Sequence, residues 1–238
     1  MTDLVYVVGR DAAPLLRASL RTVARHARNV GRVIVAGYPP RWLAPEVVRV
    51  EVADAPGASK FANIAAALFA ALERADVRGE FLLAHDDHFL AEPLDLDEQP
   101  PYHRGMDLPE RGARRTFSDA LYRRSMEWTR ERCVAAGLPF RDCGEHCPQR
   151  LDTRDAERVR EIFGGVDFDL ASAFLNVRAA RDPSAPLMLR EDVKAKCGEE
   201  PRASLGWFSV DDWWRDGQFY REWAAREVSE PCIYERTD

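Results

Sequence analysis

The sequence predicts an α/β protein with a mostly parallel sheet flanked by helices, of the Rossmann-like kind. Three observations predict it. Short β-rich runs at 4–8, 32–36, 47–52 and 81–84 alternate with amphipathic stretches at 12–27 and 60–75. The resulting order, strand–helix–strand–short link–strand–helix–strand, becomes a parallel sheet through right-handed crossovers. A hydrophobic content of 46% over 238 residues suffices for a core, and no apolar run nears the ~20 residues of a membrane helix.

Leu4 to Val8 is the opening strand, ended by Gly9-Arg10-Asp11. From Ala12 to Ala27, Leu15, Leu16, Leu20 and Val23 recur at helical spacing with arginines between them. Arg32 to Ala36 is a second strand, closed by Gly37 and the Pro39-Pro40 turn. Val47 to Val52 alternates apolar and charged residues and is a third. Ser59 follows the Pro56-Gly57-Ala58 loop and is placed to cap a helix over Lys60–Ala75, with Ile64, Leu68 and Leu72 as its buried stripe. Lys60 and Asn63 fall in its first turn, where backbone donors point outward. A helix start beside a strand end is a natural anion site. Phe81 to Ala84 reads as a buried strand that runs into His85-Asp86-Asp87-His88.

Residues 91–112 are rich in Pro, Asp and Glu and read as a loop crossing the site or a boundary between lobes. A helix follows over Phe117–Ala136, stopped by Gly137-Leu138-Pro139. Asp152 to Phe163 is a charged helix capped by Asp152 or Thr153. Leu170 to Val177 fits either helix or strand, and Pro183 to Pro186 breaks it. Leu205 to Val210 is a late strand ending in Asp211-Asp212, Gln218 to Arg226 a final helix, and Pro231 to Asp238 a tail. Residues 1–90 therefore read as a nucleotide-binding α/β half. Residues 91–238 read as the acceptor-side half of the same domain, with a helical region and the second acid pair.

Two adjacent carboxylates at the end of a buried strand are costly unless something pairs with them. A hard divalent cation that also holds phosphate oxygens is a fitting partner; the plain alternative is a polar surface turn. Ligands of such sheets bind outside the carboxyl ends of the strands. Arg10, the 37–40 turn and Asp86-Asp87 all fall on that edge. The chain has no Gly-x-Gly-x-x-Gly and no Gly-Lys-Ser/Thr, which disfavours dinucleotide and Walker-type sites. Cys143, His146 and Cys147 suggest zinc, but the next cysteine is Cys197 and a structural zinc needs four ligands. His146 then reads as a hydrogen-bonding loop residue. Without an apparent export signal the five cysteines are expected to be reduced thiols and the location cytoplasmic. Net charge is −6, against a general nucleic-acid coat, yet residues 104–132 hold eight arginines against five acids. That stretch suits a polyanion, or is a solvated helix face.

Several segments, in order, carry a family resemblance: residues 3–11, 16–26, 33–37 with 40–43, the Asp86-Asp87 pair, 146–151, 208–212 and 229–235. Together they resemble the Stealth proteins, sugar-phosphate transferases on a GT-A-like nucleotide-sugar fold. The chain departs from the family pattern at Gly9, His85 and Val210.

The resemblance implies a nucleotide-sugar donor, with a UDP-sugar expected, and Mn²⁺ or Mg²⁺ at Asp87. It puts Asp86 on the ribose or behind the ion. Arg10, Lys60 and Asn63 become donor contacts. His146 becomes a metal ligand or an acceptor contact, and Asp211 or Asp212 the general base for an acceptor hydroxyl. The broader expectation is glycosyl transfer, with sugar-1-phosphate transfer in surface polysaccharide synthesis as the alternative. A hydroxymethylated base in phage-type DNA is one expected acceptor, met through Arg111, Arg114, Arg115, Arg123 and Arg124. Tyr102, Phe117, Tyr122 and Trp128 are nearby aromatics for stacking. A non-catalytic nucleic-acid or partner-binding module on the same fold is the remaining reading.

Overall fold

The computed structural model describes residues 1–111, 120–144, 146–165, 167–185, 187–190, 194–195, 206–210 and 218–236. In chain order the elements begin with β1 (Thr2–Val8), α1 (Ala13–His26), β2 (Ala27–Arg28), β3 (Val30–Gly37) and β4 (Val48–Glu51). Next come α2 (Lys60–Arg74), β5 (Glu80–Ala84), β6 (His88–Leu90), β7 (Leu94–Asp95) and β8 (Tyr102–His103). Then follow α3 (Ala120–Ala135), β9 (Gln149–Asp152), α4 (Ala156–Phe163) and α5 (Leu170–Arg181). The last are β10 (Met188–Leu189), β11 (Lys194–Ala195), β12 (Trp207–Val210) and α6 (Gln218–Glu227).

The central sheet has the order β4-β3-β1-β5-β9. Its first four strands are parallel, and β9 runs antiparallel to β5. Alternation along the strands divides two cores, as a period of two requires. Leu4, Tyr6, Val8, Val33, Val35 and Leu82 face α1, where Leu16, Leu20 and Val23 meet them. Val5, Val7, Ile34, Ala36, Phe81 and Leu83 face α2, α4 and α5 through Leu68, Leu72, Phe163 and Phe174. Full burial of leucines such as Leu16 and Leu68 contributes roughly 1.5–3 kcal/mol each.

The chain leaves β1 on one side to build β3 and β4, then returns across the other face to lay β5 against β1. That reversal makes the carboxyl ends of β1 and β5 a topological switch point. Gly37 brings the ends of β1 and β3 together: it sits at φ +104°, and a Cβ there would collide with the Val8 carbonyl oxygen.

The structure differs from expectation in its second half. Gln149–Asp152 is a strand, not assigned from the sequence, and its last residue, Asp152, is the expected cap. The strand is buried although charged, because Arg150 donates to the Leu96 and Gln99 carbonyls and lies 3.4 Å from Glu80. Asp152 accepts from the Arg154 amide at 2.9 Å, starting a short 3-10 turn before α4. The ambiguous run at 170–177 is helical, capped by Asp169 on the Ser172 amide at 2.8 Å. Residues 91–111 carry β7, β8 and a 3-10 turn at Leu96–Glu98.

Strands of residues 91–238 pair with strands of residues 1–90. β9 completes the sheet begun by the first half, and β12 pairs antiparallel with β6. The tail also returns: Ala44 donates to the Tyr234 carbonyl at 2.9 Å and Arg236 to the Trp42 carbonyl at 2.8 Å. Among the described residues no helix is long and apolar enough to cross a membrane.

Candidate functional site

The site is built at the switch point. β5 ends at Ala84, and residues 85–88 form a tight turn closed by the His88 amide on the His85 carbonyl at 3.2 Å. Asp86 and Asp87 are its two central residues. The turn cannot drift, because β6 leaves it directly into buried contacts. Ser19 of α1 donates to the His88 carbonyl at 2.5 Å and shares a 2.7 Å hydrogen bond with the Tyr6 hydroxyl. Thr22 accepts from the Leu90 amide at 3.0 Å. Tyr6, Ser19, Thr22 and His88 are all buried. Burial pushes the Tyr6 phenol well above its ordinary range, and the nearby Asp86 charge adds to the rise.

Two imidazoles flank the acids. His88 Nδ1 accepts the His85 amide at 3.3 Å, and its Nε2 lies 3.8 Å from Asp87 Oδ1. The His85 and His88 rings meet edge to face at 5.3 Å. Burial lowers the His85 pKa and the Lys60 charge lowers it further, against opposing effects from Asp87, Asp169 and a bond to the Val7 backbone. His85 is therefore neutral near pH 7.

Lys60 is exposed in the first turn of α2. Ser59 caps that helix on the Ala62 amide at 3.1 Å, as expected, and its hydroxyl also donates to Asp167. Asn63 is turned inward to the preceding loop, where its Oδ1 accepts the Ala55 amide at 3.1 Å. Its Oδ1 thereby holds the loop that leads into α2. Arg10 stands over the Tyr38 ring at 5.0 Å and 3.4 Å from Asp54, while the Asp54 amide donates to the Tyr38 hydroxyl at 2.9 Å. Hydrogen bonding to Tyr38, then the Tyr38 and Asp54 charges, raise the Arg10 pKa.

His146 is half-buried in a segment fixed to α5. Asn176 accepts the Arg141 amide and donates to its carbonyl, both at 2.9 Å, and Ser172 accepts the Cys143 amide at 2.9 Å. A Cβ on Gly144 would lie 2.8 Å from the Tyr122 hydroxyl and 3.2 Å from Asp169 Oδ2. Cys143 and Cys147 are buried in cores on opposite faces of the sheet, which removes the zinc reading. Among the described residues, no three His, Cys, Asp or Glu side chains are grouped to hold a metal ion. Asp86, Asp87 and His146 therefore form no such group.

Asp211 and Asp212 lie outside the described residues. The strand before them is described: Ser209 is the register partner of His88, Phe208 of Phe89 and Trp207 of Leu90. β12 thus runs alongside β6 toward the Asp86–Asp87 turn, and the second acid pair follows Val210 in sequence.

Among the described residues, several arginines of the 104–132 stretch face acids of the same chain. Arg111 faces Glu131 at 3.8 Å, Arg123 faces Glu127 at 3.8 Å, and Arg130 pairs with Glu110 at 2.8 Å. Arg124 stacks on Trp128 at 4.4 Å. Arg114, Arg115 and Phe117 lie outside the described residues. Tyr102 is fully buried and serves the core; Tyr122 is half-buried, stacked on Phe61 at 6.1 Å.

Sequence reasoning overlooked Tyr38, Asp54, Ser19 and Asp169. Only Asp169 left a signal, as an Asp directly before an apolar helical run. No family model matches the chain, and no curated protein matches it.

Proposed function

We propose that the protein is a sugar transferase that takes a nucleotide-sugar, a UDP-sugar first, and passes the sugar to a hydroxyl acceptor. One observation carries the reading. An Asp-Asp turn stands at the switch point of a parallel sheet, fixed by buried hydrogen bonds and flanked by the strand that leads to a second Asp-Asp pair.

The described side chains do not make a closed cage for a resident ion. They do fit Mg²⁺ or Mn²⁺ arriving with a diphosphate, since such ions bind through one or two carboxylates plus phosphate oxygens. Asp87 would hold that ion, with Asp86 beside it, and the ion would neutralise charge on the departing diphosphate. Lys60, at the start of α2, adds a positive charge on the same edge. The Arg10–Tyr38–Asp54 cluster, at the ends of β1, β3 and β4, offers a ring, a guanidinium and a carboxylate to a nucleoside.

In the reaction the acceptor oxygen bonds to the anomeric carbon as the bond from that carbon to the β-phosphate oxygen breaks. Asp211 or Asp212 takes the hydroxyl proton. Neutral His85, directly before Asp86, adds no further charge to the turn. The resemblance of the ordered segments to the Stealth proteins favours a second reading, attack at the β-phosphorus with transfer of sugar-1-phosphate.

A DNA acceptor has less support than a saccharide, because Arg111 and Arg123 already face acids of this chain. Steep loss of binding with salt is the mark of DNA; salt-tolerant transfer to a glycan is the expected result.

The deciding experiment incubates UDP-, GDP- and CDP-sugars with the protein, with and without Mn²⁺, and identifies the nucleotide released. A nucleoside diphosphate supports glycosyl transfer, and a monophosphate supports sugar-phosphate transfer. No release from any donor, with glycan and DNA supplied, overturns both and leaves the binding-module reading.

A further inference from the structure

We propose that the outer edge of β4 pairs with the same edge of a second copy, joining two sheets into one across a two-fold axis. β4 ends the sheet order, with β3 on its inner side. A shallow groove of about 480 Å³ runs along it, lined by Val48, Arg49, Val50, Glu51 and Arg74.

Backbone direction fixes which groups are offered. In a parallel strand each residue turns its N–H and C=O to one edge, and neighbouring residues alternate. The Val52 amide donates inward to the Gly37 carbonyl at 2.9 Å. Val50 therefore also faces β3, and Arg49 and Glu51 present their backbone groups outward. The Glu51 carbonyl confirms this direction, since it accepts Arg74 from α2 at 3.0 Å.

Charge then selects the register. Antiparallel pairing centred on Val50 sets Arg49 opposite Glu51 of the second copy, and Glu51 opposite its Arg49. Both are hydrogen-bonded pairs, so four backbone bonds form. Arg49 and Glu51 share a sheet face, opposite to Val50, so each cross-strand pair joins unlike charges. Pairing centred on Arg49 or on Glu51 sets like charges against each other. β9, at the other end of the sheet, is buried along its length, so growth stops at two copies. The exposed Arg74 side chain covers the Glu51 carbonyl and must swing aside, as a guard against indiscriminate pairing. The two-fold turns the carboxyl edges opposite ways, so each copy keeps its own candidate site.

Sedimentation of the full chain tests the pairing. Four backbone bonds over a short strand predict a dimer with a Kd of roughly 1 µM to 1 mM. Arg49→Glu is expected to weaken it about tenfold or more, and the swap of Arg49→Glu with Glu51→Arg to restore it. Arg74→Ala is expected to tighten it. A chain monomeric throughout that range, or a dimer indifferent to Arg49→Glu with circular dichroism unchanged, overturns the proposal. Nucleotide release plays no part in this readout, so its failure leaves the pairing test intact.

Discussion

The Ser19 hydroxyl lies 2.5 Å from the backbone carbonyl oxygen of His88 and donates to it. Tyr6 must then donate its own hydroxyl to Ser19, at 2.7 Å. A side chain on α1 thereby fixes the end of the acid turn, and the central strand fixes that side chain. Ser19→Ala leaves a buried hydroxyl and a buried carbonyl without this partner. The expected loss is about 1–3 kcal/mol in urea unfolding, whereas Tyr6→Phe, which spares the Ser19–His88 bond, costs nearer 1 kcal/mol.

Asp87→Ala should lower Mn²⁺-dependent release of nucleotide roughly 100-fold or more. The melting temperature should change little, since Asp87 is a turn residue with a partly exposed side chain. Turnover that survives the substitution would remove Asp87 from the diphosphate site.

Arg10 and Tyr38 act on the nucleoside in the proposed reading. Tyr38→Ala removes the ring under the guanidinium, and the donor KM should rise roughly threefold to tenfold with kcat nearly unchanged. A fall in kcat at constant KM would place the pair elsewhere in the reaction.

Glu235 links the tail to α1. Its carboxylate accepts the Arg21 fork at 2.5 and 2.8 Å and faces Arg17 at 3.1 Å. Burial would raise its pKa, but hydrogen bonds from Arg21 and the Cys232 amide outweigh that and hold it below the usual carboxylate range. The unfolded chain therefore takes up this proton first as pH falls. The stabilisation is complete above the ordinary glutamate range near pH ~4.3 and is lost as pH drops through the lowered folded value. Glu235→Gln should flatten that part of the acid-unfolding profile and cost roughly 1.5–3 kcal/mol at pH 7.

Gly144→Ala tests the α3–α5 wall. The new methyl would stand 2.8 Å from the Tyr122 hydroxyl and 3.2 Å from Asp169, and a crowded insertion of this kind costs about 1–3 kcal/mol. Thermal unfolding measures it; an unchanged melting temperature would mean that the Tyr122 side chain yields freely.

The first ninety residues declared their structure because their signals are local. Apolar alternation in Leu4–Val8 and Phe81–Ala84, helical spacing through Leu16, Leu20 and Val23, and the Ser59 cap each operate within a few residues. The acid turn was legible for the same reason: Asp86 and Asp87 interrupt an apolar run. The second half depends on contacts made far along the chain. Gln149-Arg-Leu-Asp152 is a strand only because β5 offers an edge and the Leu96 and Gln99 carbonyls take the Arg150 guanidinium. Nothing near Ser19 in sequence marks it as the partner of His88, 69 residues away. Asn63 was legible as a first-turn residue of a helix, but the Ala55 amide that its Oδ1 accepts was not. The sequence by itself determined which segments form the parallel half and where its acids fall. The tertiary structure alone decided which polar side chains hold that turn and which arginines face their own acids, because hydrogen bonds and charge pairs are chosen by distance in space.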